Sequence, residues 1–84
     1  IQIRKQMFKI GKERVKVDYC ITDNNTISRV HVQIAYRDGD YYITDMKSTN
    51  YTYVNGNKLA ANQETMLRNG DKIKLSVEEF EFRC

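Results

Sequence analysis

Closely spaced turn signals, more than any other feature, limit what this chain can fold into. Asp38-Gly39, Asn55-Gly56 and Asn69-Gly70 are dipeptides typical of tight β-turns, and bulky residues alternate with polar ones around them. Turn signals recur about every ten residues, and no window keeps apolar residues at helical spacing. Because 84 residues suffice for one modest core, the pattern predicts a single all-β domain, a sandwich or a barrel.

Alternating apolar residues predict where the strands lie. Residues 31–36 and 41–44 flank the Asp38-Gly39 turn and should form a hairpin. The remaining predicted strands are residues 7–10, a strand within 15–21, and residues 73–77 and 80–82.

The charge balance allows an acidic partner but does not by itself indicate nucleic acid. Fourteen Lys and Arg against eleven Asp and Glu leave a net charge of +3, and the basic residues form no long run. Nucleic-acid binding would need basic and aromatic residues interleaved on one sheet face. Tyr41, Tyr42, Tyr51 and Tyr53 suggest this, but an ordinary role in strands explains them as well. We therefore expect a partner other than nucleic acid.

The sequence also argues against a membrane span, a disulfide bond and a metal site. No stretch reaches 18 apolar residues, so we expect no membrane span in this segment. Cys20 and Cys84 lack metal-ligand spacing, and we expect two free thiols rather than a disulfide. His31 is the single histidine, so a metal site is not expected.

The chain begins with Ile1, and we expect residues 1–84 to be one domain excised from a longer protein.

Two polar loops flank the predicted hairpin. Ser28-Arg29 precedes its first strand, and Ser48-Thr49-Asn50 follows its second strand. These positions meet at the open end of a hairpin, where they would offer three hydroxyls, a carboxamide and a guanidinium. Such a set suits an anion with several acceptor oxygens, such as a phosphate. No base oriented by a third group accompanies them, so we expect no enzyme activity. Taken alone, residues 48–50 also fit a turn that satisfies its own backbone.

Four blocks in this order resemble the signature of the forkhead-associated (FHA) domain. They are Gly11-Lys12, Ser28-Arg29-Val30-His31, Asp45 to Asn50, and Val54-Asn55-Gly56. The resemblance implies a two-sheet β-sandwich of mainly antiparallel strands, with binding loops at one end. It also implies a non-catalytic module that binds phosphothreonine peptides in signalling or regulation.

By the same resemblance, individual residues receive expected roles. The residues expected to bind the phosphate are Ser28, Arg29, Thr49 and Lys12. Those expected to contact the peptide are Asn50, Ser48 and Tyr51. Those expected to be structural are His31, which braces the loops, and Gly11, Asn55 and Gly56.

Two positions depart from the family pattern. Lys12 stands where the family usually has Arg, and an ammonium cannot form the two-pronged contact of a guanidinium, so binding should be weaker. Tyr51 stands where the family has Gly, so the loop is either strained at positive φ or follows another path. The alternative function is therefore binding of an unphosphorylated protein partner by a domain of the same fold.

The resemblance implies the setting as well. The expected partner is a phosphothreonine-containing protein that a Ser/Thr kinase modifies, and no cofactor is implied. We expect a monomeric domain in the cytoplasm, as in the cytoplasmic part of a larger protein such as a bacterial one.

Overall fold

The computed structural model describes residues 6–83, which form two β-sheets enclosing one core. The first sheet has the order β2-β1-β3-β4-β7 and the second β6-β5-β8-β9. All strand pairs are antiparallel except β1 with β2, so the predicted two-sheet sandwich is confirmed. The strands are β1 Met7–Gly11, β2 Tyr19–Cys20, β3 Val32–Arg37, β4 Asp40–Asp45, β5 Thr52–Val54, β6 Asn57–Lys58, β7 Glu64–Leu67, β8 Lys72–Leu75 and β9 Glu78–Glu81.

The core follows from the alternation seen in the sequence. Val32, Ile34 and Ile43 of the first sheet are buried, as are Ile73 and Leu75 of the second, and all belong to one cluster. Burying a side chain of this size contributes about 1.5–3 kcal/mol, so these inward-facing residues hold the two sheets together.

The strand predicted within residues 15–21 is confirmed at Tyr19–Cys20, whereas the strand predicted over residues 73–77 extends too far and ends at Leu75. Residues 14–16 form a 3-10 turn instead of a strand, and Val15 there is 87% exposed. Only Tyr19–Cys20 pairs with β1, so the shared parity of Val15 with later residues did not reflect a common face. Val77 lies in the turn between β8 and β9, where the preceding residue, Ser76, has a positive φ.

The cysteine prediction is tested at one position. Cys20 is a free thiol whose Sγ lies 3.3 Å from the carbonyl oxygen of Lys12, while Cys84 lies outside the described residues. Within residues 6–83, no helix is long and apolar enough to cross a membrane.

The topology collects several loops at one end of the sandwich. β1 and β4 run antiparallel to β3, so both end where β3 begins, next to residues 46–51. Leu75 pairs with Thr52, which brings the end of β8 to the same place. The loops after β1, before β3 and after β4 therefore converge, and the β8–β9 turn joins them.

Candidate functional site

An open pocket lies between these converging loops. Five of the residues predicted to bind ligand line it together: Lys12, Ser28, Arg29, Thr49 and Asn50. Among the described residues that line the pocket, two are basic and none is acidic. The pocket is therefore an open, positively charged surface with several hydrogen-bonding groups.

Close backbone packing brings Lys12 to the pocket. A Cβ atom at Gly11 would lie 2.1 Å from the carbonyl oxygen of Arg29, so only glycine allows this approach. The backbone N–H of Lys12 donates to the carbonyl of Ser28 at 3.0 Å, and that of Glu13 donates to the carbonyl of Arg29 at 3.1 Å. The segment after β1 thus runs along Ser28-Arg29.

His31 links the two main loops from inside. Its side chain is fully buried, Nδ1 accepts from the backbone N–H of Ser28 at 3.1 Å, and Nε2 lies 3.0 Å from the carbonyl oxygen of Tyr51. Because Nδ1 accepts, the proton belongs on Nε2, which donates to Tyr51. Burial lowers the pKa of His31, although the Tyr51 carbonyl and the Asp45 carboxylate oppose this shift. The ring is therefore neutral at pH 7, as both hydrogen bonds require.

Ser28, Thr49 and Asn50 bond to one another's loops. The backbone N–H of Thr49 donates to Ser28 Oγ at 3.0 Å, which leaves the Ser28 hydroxyl hydrogen available to a ligand. The side-chain amide of Asn50 donates to the carbonyl of Thr26 at 2.9 Å. These bonds fix the two loops across the pocket from each other.

Ser48 differs from its expected place in the peptide site. Its hydroxyl and its backbone N–H both donate to the carboxylate of Asp45, and Ser48 is only 8% exposed. The hydroxyl of Thr52 donates to the same carboxylate. Asp45 is 2% exposed and would be costly to bury unbonded, so these donors draw Ser48 inward, away from the pocket.

Tyr51 has the left-handed backbone that the family's glycine implies, with φ of 69°. Its carbonyl also accepts from the backbone N–H of Ser76 at 3.1 Å, so two groups hold this strained conformation. Its ring is absent from the pocket wall and lies 3.8 Å, measured to the ring centroid, from the ammonium of Lys58.

Asn55 and Gly56 occupy the turn between β5 and β6, at the opposite end of the sandwich. Both have positive φ, 51° and 83°, as a tight hairpin turn requires. The Asn55 side chain accepts from the backbone N–H of Lys72 at 2.9 Å and donates to Asp71 at 3.0 Å. These bonds tie the turn to the start of β8, away from the pocket.

Sequence reasoning missed three residues that shape the site. Asp45 organises residues 48–52, and an acidic residue three positions before a serine was the available signal. Thr26 forms part of the pocket wall, and its N–H donates to Asn24 Oδ1, a local turn that an Asn two residues earlier favours. Glu13 Oε2 lies 3.8 Å from Arg29 Nε, a long-range pair that no sequence pattern indicated.

Comparisons with known proteins agree with this geometry. Residues 8–76 match the sequence profile of the FHA domain. Protein FraH of Nostoc sp. strain PCC 7120 is 35% identical over 71 residues, and the match covers 79% of this chain and 25% of FraH. The chain thus spans about a quarter of the length of that curated relative.

Solved structures show the same fold. One, from work on phosphothreonine-dependent FHA domain interactions, has a TM-score of 0.87 and 30% identity, covering 100% of this chain and 82% of its own. The N-terminal FHA domain of S. cerevisiae Rad53p, in complex with a phosphothreonine peptide, has a TM-score of 0.77 and 32% identity. That match covers 84% of this chain and 56% of the Rad53p chain. With the profile match over residues 8–76, these likenesses show that this chain belongs to the FHA-domain family.

Proposed function

We propose that this domain binds phosphothreonine-containing segments of other proteins, as a non-catalytic module in signalling or regulation. The observation that carries the proposal is the convergence of Ser28, Arg29, Thr49 and Lys12 on one pocket with no acidic residue in its described wall. A phosphate dianion needs both positive charge and several donors, and these side chains supply both. The likeness to domains solved with phosphothreonine peptides supports the same function.

In this proposal each side chain has a distinct part. The Ser28 and Thr49 hydroxyls donate to the phosphate, and Arg29 and Lys12 supply positive charge together with further N–H donors. Asn50 holds the peptide backbone, because its side-chain oxygen remains available while its amide donates to Thr26. Ser48 belongs instead with His31 among the residues that fix the loops.

The pocket also has an apolar side. Val30 and Met46 line it beside the polar residues. A threonine methyl can be buried against such side chains, whereas phosphoserine has no methyl to bury. We therefore expect phosphothreonine to bind more tightly than phosphoserine.

The wider setting follows from the same proposal. The domain acts as a monomer within a longer protein in the cytoplasm, and its partner is a protein phosphorylated by a Ser/Thr kinase. The match to FraH covers only a quarter of that protein, which supports a place within a longer protein.

The test is a titration with a fluorescent peptide in three forms, carrying threonine, phosphothreonine or phosphoserine. The wild type should bind the phosphothreonine form and not the threonine form. Arg29→Ala and Thr49→Ala should each weaken binding about 10- to 150-fold, since each loses a hydrogen bond to a charged group. Arg68→Ala is the matched control, because Arg68 is exposed in the turn after β7, at the opposite end.

Equal binding of the threonine and phosphothreonine forms would refute the proposal. That outcome would favour the alternative, a domain of this fold that recognises an unphosphorylated partner, for which the Lys12 substitution is the supporting observation.

A further inference from the structure

Aromatic and basic residues alternate on the outward face of the second sheet. Tyr53 of β5 pairs with Lys58 of β6 on one side and with Lys74 of β8 on the other. The ammonium of Lys58 lies 3.8 Å from the ring centroid of Tyr51. The ammonium of Lys74 lies 5.7 Å from the ring centroid of Tyr53. We call these four residues, Tyr51, Tyr53, Lys58 and Lys74, the basic aromatic face.

The positive charge of this face is only partly compensated by the described residues. Among residues 6–83, neither Lys58 nor Lys74 forms an ion pair, and both are exposed. Lys72, by contrast, contacts Glu81 at 3.0 Å. Glu79 pairs with Lys74 across the β8–β9 ladder and reduces its field, so Lys58 is the stronger attraction for an anionic group.

The basic aromatic face continues directly from the pocket. Asn50 lines the pocket, and the next residue, Tyr51, begins the face. The strained φ of Tyr51 is held by hydrogen bonds from His31 and Ser76 to its carbonyl, which fixes where the side chain leaves the backbone. Strain that the surroundings maintain in this way points to a functional use of the residue.

We propose that the basic aromatic face binds an acidic stretch of the same phosphorylated segment, where that segment leaves the pocket on the Asn50 side. The inference rests on the proposed function and adds a preference for acidic residues at a distance from the phosphate. Contact with the Tyr51 ring restricts the side chain of Lys58, and the longer contact with the Tyr53 ring restricts that of Lys74 more weakly. A carboxylate therefore meets these ammonium groups with less loss of conformational freedom.

The test compares four phosphothreonine peptides: one with neutral flanks, one with four glutamates after the phosphothreonine, one with four glutamates before it, and one with four lysines in place of the favoured glutamates. One of the two glutamate peptides should bind more tightly than the neutral peptide, and the lysine peptide more weakly. Lys58→Gln should reduce the affinity gained from the glutamates about two- to five-fold, and the double variant Lys58→Gln/Lys74→Gln should reduce it further. In both variants the affinity for the glutamate peptide should depend less on salt concentration.

The control is Lys9→Gln, which removes the same charge from β1 in the other sheet. It should keep the full gain, and all variants should bind the neutral phosphopeptide like the wild type. If neither glutamate peptide gains affinity, or if Lys9→Gln reduces the gain as much as Lys58→Gln, the inference is wrong while phosphate binding stands. If the neutral phosphopeptide itself fails to bind, the proposed function is wrong.

A single-stranded oligothymidylate is titrated in parallel. Exposed aromatic rings between basic residues can also stack nucleic-acid bases. Binding of the oligonucleotide that is lost in Lys58→Gln, without a gain from glutamates, would overturn the inference in favour of nucleic acid.

Discussion

Replacing Tyr51 by Gly and by Ala separates the energy of its backbone from that of its ring. The φ of 69° is unfavourable for any residue with a Cβ, by about 1–2 kcal/mol. Glycine removes that strain but has a more flexible unfolded chain, which opposes the gain by about 0.5–1 kcal/mol. Both variants lose the contact between the ring and Lys58, which contributes about 0.5–1 kcal/mol at an exposed site.

The difference between the two variants therefore isolates the backbone effect. Tyr51→Gly should be more stable than Tyr51→Ala by about 0.5–1 kcal/mol, or about 4 °C in Tm for a domain of this size. Tyr51→Ala should melt below the wild type, since it keeps the strain and loses the ring. Thermal and urea unfolding of the three proteins measure this. An alanine variant as stable as the glycine variant would refute the left-handed conformation at residue 51.

Three further predictions concern the groups that hold the pocket in shape. His31 is neutral when folded, and burial lowers its pKa below the usual value of about 6.5, so the unfolded chain binds more protons in acid. The contribution of His31 to the free energy of unfolding should be constant above pH 7 and should fall as the pH drops through 6.5 toward the lowered pKa. Thermal melts between pH 5 and 8 should therefore show a weaker loss of stability in His31→Gln than in the wild type. Asp45→Asn places an amide among three donors and should lower the free energy of unfolding by about 1–3 kcal/mol, as urea unfolding would measure; a neutral effect would contradict the assigned bonds of Ser48. Gly11→Ala places a Cβ against the carbonyl of Arg29 and should destabilise the domain by about 1–3 kcal/mol. It should also weaken phosphopeptide binding. An unchanged melting temperature and affinity would show that the loops can separate freely.

Local features of this fold could be predicted because they depend on neighbouring residues. The hairpin around Asp38-Gly39 forms β3 and β4 close to the expected residues, and Asp38 and Gly39 have the positive φ values that such a turn needs. The joining of Ser28-Arg29 and Thr49-Asn50 follows from that same hairpin, since its open end brings both loops together.

Features that depend on distant contacts could not be predicted in this way. Parity indicated a strand within residues 15–21 but not its bounds, because the hydrogen bonding after β1 makes a 3-10 turn of residues 14–16 and leaves only Tyr19–Cys20 in the strand. Ser48 looked like its loop neighbours, and its inward direction depends on burial of the Asp45 carboxylate. The contact of Tyr51 with Lys58 requires the β5–β6 register and a left-handed residue, and neither shows as a pattern in the sequence.

Amide chemical shifts measured by NMR during a phosphopeptide titration test the central claim most directly. We predict that adding a phosphothreonine peptide shifts the amide signals of Lys12, Ser28, Arg29, Thr49 and Asn50, which line the pocket. The signals of Asp38 and Gly39, in the turn between β3 and β4 at the opposite end, should remain in place, and the unphosphorylated peptide should shift none of these signals. Shifts that centre on the opposite end, or that are the same for both peptides, would contradict the assignment of this pocket to phosphothreonine.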